Sequence, residues 1–185
     1  MADSRLSRDG EAGPDTEPQP PGDSERPIFY FDFSSPECWL AAERVNHELG
    51  VVPVWTPVRV AGTGRQPSTE ELVDLDRRAR EQGLPPVRLP VPWPTDTDVA
   101  LRAATFAAAS GRVVAFSLAA LRQAFAAGRD LSHVDNVLIA AAACELHPRA
   151  VLKGIESRSV TQRLAGASDE AAALAVASLP QVRGV

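Results

Sequence analysis

The sequence predicts an α/β fold that opens with a strand, a helix and a second, parallel strand and continues as a large all-helical segment. Three observations predict it. Residues 28–33 form an abruptly aromatic, β-prone run, too apolar to face water on one side. A helix start follows at once and leads into a second β-prone run, and such short links make a βαβ unit with parallel pairing. Beyond Gly62 the β pattern gives way to alanine-rich helical spacing punctuated by Gly111, Gly128 and Pro148.

Length and composition set the bounds. A chain of 185 residues accommodates one domain, or one domain with an insertion. Apolar residues at 44% and charged residues at 23% are ordinary globular usage, so a buried core is expected. No apolar run is long enough to span a bilayer, and the opening lacks the basic and apolar regions of a secretory signal; a cytoplasmic protein is the expectation. The net charge of -5 offers no footprint for nucleic acid or an anionic membrane. Two cysteines and three histidines build neither a disulfide framework nor a structural zinc site, so no metal is expected.

Taken in order, residues 1–26 hold four prolines, three glycines and seven acids against three arginines. Nothing there offsets the entropy of ordering, and a disordered acidic tail is expected. The strand at 28–33 takes a central place in a sheet. Ser34-Ser35-Pro36 then starts a helix over 36–49, with Ser35 suited to the N-cap, Pro36 to the first helical position and Glu37 to the positive end of the dipole. Cys38, Ala42, Val45 and Leu49 form one apolar stripe, and Gly50 can end the helix in the left-handed region. Residues 51–55 and 58–60 make the second strand, which Pro53 and Pro57 push to a sheet edge. Ser68 and Glu71 form a capping box for a helix through Arg80 that stops at Gly83. The proline-rich run 85–94 is an extended connector. Helices are expected at 98–110, 113–127, 134–144, 148–156 and 169–178; in the second, Val114, Leu118, Leu121 and Phe125 make the apolar face.

In a parallel α/β unit, ligands gather at the carboxyl ends of strands, where a helix start directs free N–H groups outward. Ser34-Ser35-Pro36-Glu37-Cys38 stands at that place. Ser35 is either an ordinary N-cap or a hydroxyl that donates to a bound anion such as a thiolate. Cys38 is either a core thiol heading the buried stripe or, if exposed, a reactive one activated by the helix start. Cys144, at the end of an alanine run, reads as inert, and His47 and His133 have no partner at ligand spacing. Trp39, Trp55 and Trp93 either pack in the core or line a pocket for a planar substrate; Arg59 and Arg65 are either solvated or meet a substrate carboxylate.

The run Phe29-Tyr30-Phe31-Asp32-Phe33-Ser34-Ser35-Pro36-Glu37-Cys38-Trp39-Leu40-Ala41-Ala42-Glu43 resembles the opening signature of the DsbA-like branch of the thioredoxin superfamily. The nearer likeness is to 2-hydroxychromene-2-carboxylate isomerases and kappa-class glutathione transferases. Weaker likeness continues in Phe125-Ala126-Ala127-Gly128-Arg129-Asp130-Leu131 and from Ala173 to Val185. The resemblance implies a partial thioredoxin-like domain at 27–62 and 179–185, with 63–178 as a helical insertion. It implies Ser34, Ser35 and Pro36 as the turn that binds glutathione or another small thiol, with Ser35 contacting the sulfur. In that chemistry the thiol adds to an unsaturated small-molecule substrate, allows rotation and leaves. Redox relatives carry Cys-Pro-x-Cys; here Ser35 replaces the first cysteine and Cys38 keeps the second. A two-thiol cycle is therefore excluded, and a DsbA-like oxidoreductase would have to work through Cys38 alone.

The family continues past Gly-Val with a cis-proline, a β-hairpin and a last helix, whereas this sequence stops at Gly184-Val185. On that alignment the loop facing Ser35 is missing and the first strand keeps an open, apolar edge. A truncated, inactive remnant is then an alternative to the enzyme, and a homodimer covering the edge is another.

Overall fold

The structure is a computed structural model and describes residues 26–62 and 64–184. The acidic tail expected at 1–26 lies outside the described residues except for Arg26. The elements run β1 (Ile28–Phe31), α1 (Pro36–Ala42), α2 (Val45–Leu49), β2 (Val54–Pro57), α3 (Thr69–Glu81), α4 (Asp98–Ala109), α5 (Val113–Phe125), α6 (Val134–Ala142), α7 (Pro148–Glu156), α8 (Arg158–Ala173) and β3 (Gln181–Arg183).

The three strands order as β2-β1-β3. β1 pairs in parallel with β2, Ile28 opposite Val54 and Phe31 opposite Pro57, and the Val58 N–H donating to the Phe31 carbonyl at 3.0 Å carries the pairing one step further. Both strands are shorter than the sequence predicts. Alternation along β1 divides the core: Phe29, Phe31 and Phe33 enter the main cluster with Trp39, Trp55, Phe116 and Phe125, while Tyr30 packs in a smaller one with Val58, Ala171 and Val176.

The other side of β1 corrects an expectation. Its edge is not open, because β3 lies against it antiparallel, Ile28 opposite Arg183 and Tyr30 opposite Gln181. The expected alignment put this strand beyond Val185; in the structure Leu179-Pro180, whose peptide is cis, and Gln181–Arg183 take that place. A buried strand with one row of unpaired N–H and C=O groups is costly, and β3 satisfies that row.

The single helix expected over 36–49 is two. α1 ends at Ala42 with Glu43 as its C-cap, and Arg44 leaves helical geometry (φ -123, ψ -18) before α2 begins. The break coincides with side-chain bonding at Glu43: its carboxylate accepts from Trp39 Nε1 at 2.9 Å and from Arg122 of α5 at 2.7 and 2.6 Å. The apolar stripe survives the break, with Cys38, Ala42 and Val45 buried and Leu49 half-buried.

In the helical segment, the capping box of α3 forms as the spacing predicts, with Glu71 N donating to Ser68 Oγ at 3.2 Å and Ser68 N to Glu71 Oε2 at 2.7 Å. α4 packs against α5, α6, α7 and α8, and its buried Ala100, Ala103, Ala104 and Ala107 allow that close approach. The face α5 buries deepest is Phe116, Ala120 and Ala124 together with Leu121 and Phe125; Val114 and Leu118 are half-buried. The last helix is displaced from its expected 169–178: α8 spans Arg158–Ala173, and the chain leaves it at Ala175 (φ 56). Its N-terminal half buries little beyond Val160 and Leu164, which is why it carries no clear apolar period.

Candidate functional site

Where β1 ends, Asp32 points its carboxyl group into the protein interior with 2% of its surface exposed. A carboxyl group there must be bonded. Asp32 Oδ1 accepts from Ser34 N at 3.1 Å and from Cys38 Sγ at 3.5 Å, and Oδ2 accepts from Ser34 Oγ. These bonds fold the turn over Asp32 and direct the next residue outward. Ser35 adopts N-cap backbone geometry (φ -136, ψ 122) with Pro36 in the first turn, as the sequence predicts. Its hydroxyl does not cap the helix. It donates instead to Glu37 Oε2 at 2.8 Å.

Ser34, Ser35, Pro36 and Glu37 together form one wall of a cavity of about 330 Å³. The loop after β2 supplies another: Gly64 holds φ +79, and a Cβ there would stand 3.3 Å from Ser34 Cβ, so the loop lies directly on the turn. Ala177, Ser178 and Leu179 close the far side. Residues facing Ser35 across the site are therefore present, which corrects the expectation that this loop is missing.

Cys38 lies beneath the turn and not in the cavity. It is 0% exposed, and burial, with the Asp32 carboxylate adding to it, holds its thiol well above the ordinary cysteine range. The condition that Cys38 be exposed is not met. Cys144 is likewise buried, its thiol bonded to the carbonyls of Ala140 and Ala141 at 3.5 and 3.2 Å. Trp39 and Trp55 are core residues; half-buried Trp93 donates its indole N–H to the Arg65 carbonyl at 3.1 Å and packs edge-on to Phe125. Arg59 pairs with Asp98. Arg65 lines the cavity and grips the Glu71 carboxylate with both guanidinium nitrogens.

That grip has a measurable consequence. The Arg65 hydrogen bonds, with the Ser68 N–H, lower the Glu71 carboxyl from 4.5 to about 2. Because the folded value lies below the unfolded one, the stabilisation is complete above the unfolded pKa and is lost as pH falls through the folded pKa near 2. A carbon-detected NMR titration should place the Glu71 midpoint near 2, returning toward 4.5 in Arg65→Ala. An ordinary carboxylate midpoint in the wild type would show that the pair does not persist in solution.

Asp32 is the site residue that sequence reasoning did not single out, and Glu37 it placed only at the positive end of the helix dipole. Asp32 carried a signal: it is the one charge inside an aromatic strand run, and a buried carboxyl group always needs partners. Glu37 carried none beyond its place in the first turn. Among the described residues, no group of three or more His, Cys, Asp or Glu side chains is placed to hold a metal, and no helix is long and apolar enough to cross a membrane.

The strand, the sharp Ser-Pro turn, the helix and the facing loop define a thioredoxin-type site. The chain belongs to the DsbA-like thioredoxin domain family, whose model matches residues 28–182. Among solved structures it is similar to a 2-hydroxychromene-2-carboxylate isomerase (TM-score 0.71, 18% identity, 85% of this chain and 84% of that one). It is also similar to the cytosolic disulfide reductase DsbM from Pseudomonas aeruginosa, solved with GSH (TM-score 0.62, 15% identity, 84% of each chain). A third is a single-residue variant of DsbA from Pseudomonas aeruginosa (TM-score 0.58, 12% identity, 91% of this chain and 78% of that one). At these identities the likeness shows the fold alone. No curated protein matches the chain in sequence.

Proposed function

We propose that this protein is a small-thiol-dependent isomerase or transferase that binds glutathione, or a thiol like it, in the cavity beside Ser35 and presents the sulfur to a small organic substrate. The observation that carries the reading is the division of labour in the turn. The hydroxyl at position 35 borders a cavity, whereas the only thiol nearby, Cys38, is sealed and protonated. The cavity of about 330 Å³ lies at the lower end of the range for small-molecule sites. The similarity to an isomerase and to a reductase solved with GSH supports the same choice of ligand. Two cysteines left free suit a reducing, cytoplasmic setting, where such thiols abound.

Calorimetry of the full chain with glutathione tests the reading: saturable heat is expected, and its absence with glutathione and other small thiols alike defeats it. Disulfide exchange through Cys38 is the competing chemistry, and it requires a thiolate that an attacking partner can reach. In the folded protein Cys38 should resist a disulfide thiol reagent at mildly alkaline pH and react at once on unfolding. Labelling of Cys38 in the native state, mapped by peptide mass, would restore the redox reading.

A further inference from the structure

The cavity wall holds a second functional group, and what it does follows from the single proton on the Ser35 hydroxyl. A carboxylate has only acceptor sites, so in the 2.8 Å contact with Glu37 Oε2 the proton belongs to Ser35 and points at Glu37. What Ser35 Oγ has left for the cavity is lone pairs. In this state it cannot donate to a thiolate; it can accept from a thiol S–H. We propose that Glu37 is the proton acceptor for the bound thiol, acting through Ser35 Oγ; this rests on the thiol reading above.

The step balances without any further reagent. The S–H bond breaks as sulfur's proton forms a new bond to Ser35 Oγ; Ser35's original O–H bond breaks as that proton passes to Glu37 Oε2. The electron pair stays on sulfur, which then attacks the electrophilic carbon; where the thiol is later expelled the relay runs backward, and where another group such as chloride leaves, Glu37 gives its proton to water. Total charge in the cavity is unchanged, so no net charge is created in a partly enclosed space.

The surroundings single out Glu37 for this task. Asp32 touches Ser34 and Cys38, not Ser35, and its oxygens are already occupied. Glu71, on the same cavity, is held by Arg65 and the Ser68 N–H. Glu37 borders both the cavity and an adjoining cleft where α3 presents Glu70, Glu71, Asp74 and Arg78, and the charge of Arg65 reaches it from the loop after β2. From the facing loop, Ala177, Ser178 and Leu179 bring no ionisable group.

Glu37→Gln tests the relay, because the amide oxygen can still accept from Ser35 but cannot take a proton. The assay is the addition of glutathione to 1-chloro-2,4-dinitrobenzene by the full chain, with chloride leaving, beside calorimetric binding of glutathione. The variant should bind glutathione as the wild type does while kcat falls about 100-fold, the usual scale for a lost general base. Glu37→Asp, which keeps a carboxylate within reach of Ser35, should recover part of the rate. A Glu37→Gln variant with the wild-type rate overturns the relay while leaving the thiol reading intact. Loss of glutathione binding in the variant also overturns it, since Glu37 would then be a binding group. If the wild type itself binds no glutathione, the thiol reading has failed and the relay falls with it.

Discussion

Phe31→Ala should destabilise the protein by about 3–5 kcal/mol, the range for deleting a buried aromatic side chain. The residue is fully buried on the central strand and is shared by three aromatic contacts: stacked with Phe29 at 5.5 Å, edge-on to Phe33 at 5.6 Å and edge-on to Trp55 at 5.4 Å. Removing it takes the apolar burial away and leaves a void bounded by rings on both paired strands, which can collapse only if β1 and β2 shift together. Because Asp32 and the turn follow directly in the chain, the same shift would loosen the cavity wall. Urea denaturation reads the effect as a lower midpoint at unchanged slope. A loss below about 1 kcal/mol, the typical effect of an arbitrary substitution, would mean that these rings do not form the core described.

Under the proposed thiol chemistry, Ser35→Ala should lower the rate of glutathione-dependent turnover by about 100- to 1000-fold, within the range for interrupting general-base catalysis. The side chain is small and half-buried, and its hydroxyl makes no capping bond, so the helix start should be little affected. Pro36 and the backbone geometry at position 35 set that start. Melting temperature is therefore the control, expected to be nearly unchanged while the rate collapses. A stable variant that turns over at the wild-type rate would remove Ser35 from the chemistry and leave the cavity without its reactive wall.

The legible parts of this molecule were those in which local sequence and burial agree. The run at 28–33 announced a buried strand, Ser35-Pro36 a helix start and Ser68 with Glu71 a capping box, and each is where its residues predict. The parallel β1–β2 pair followed from the shortness of the links between them. Less legible was anything that depends on a distant partner. The bond that Glu43 accepts at the helix break is invisible along the chain, because Arg122 lies far away in sequence. The part of the helix 158–173 before residue 169 went unread because few of its side chains are buried, so apolar period, the signal for helices that face a core, is weak there.

The candidate site divides in the same way. Residue types placed a serine and a cysteine at the strand-to-helix turn, and the resemblance to a Cys-Pro-x-Cys turn, with serine in its first place, argued against a two-thiol cycle, because that chemistry needs both thiols. Tertiary structure decided which of the two side chains borders the cavity: Asp32 draws Ser34 and Cys38 inward, and Ser35 is left at the cavity wall. It also decided that residues 177–183 return to cover both the site and the edge of β1, a pairing that sequence order did not reveal. The physical reason is common to both. Propensity and capping act over a few residues and are carried by the chain itself, whereas the burial of a thiol, the partner of a carboxylate and the strand that satisfies an edge are set by groups that meet only when the chain has folded.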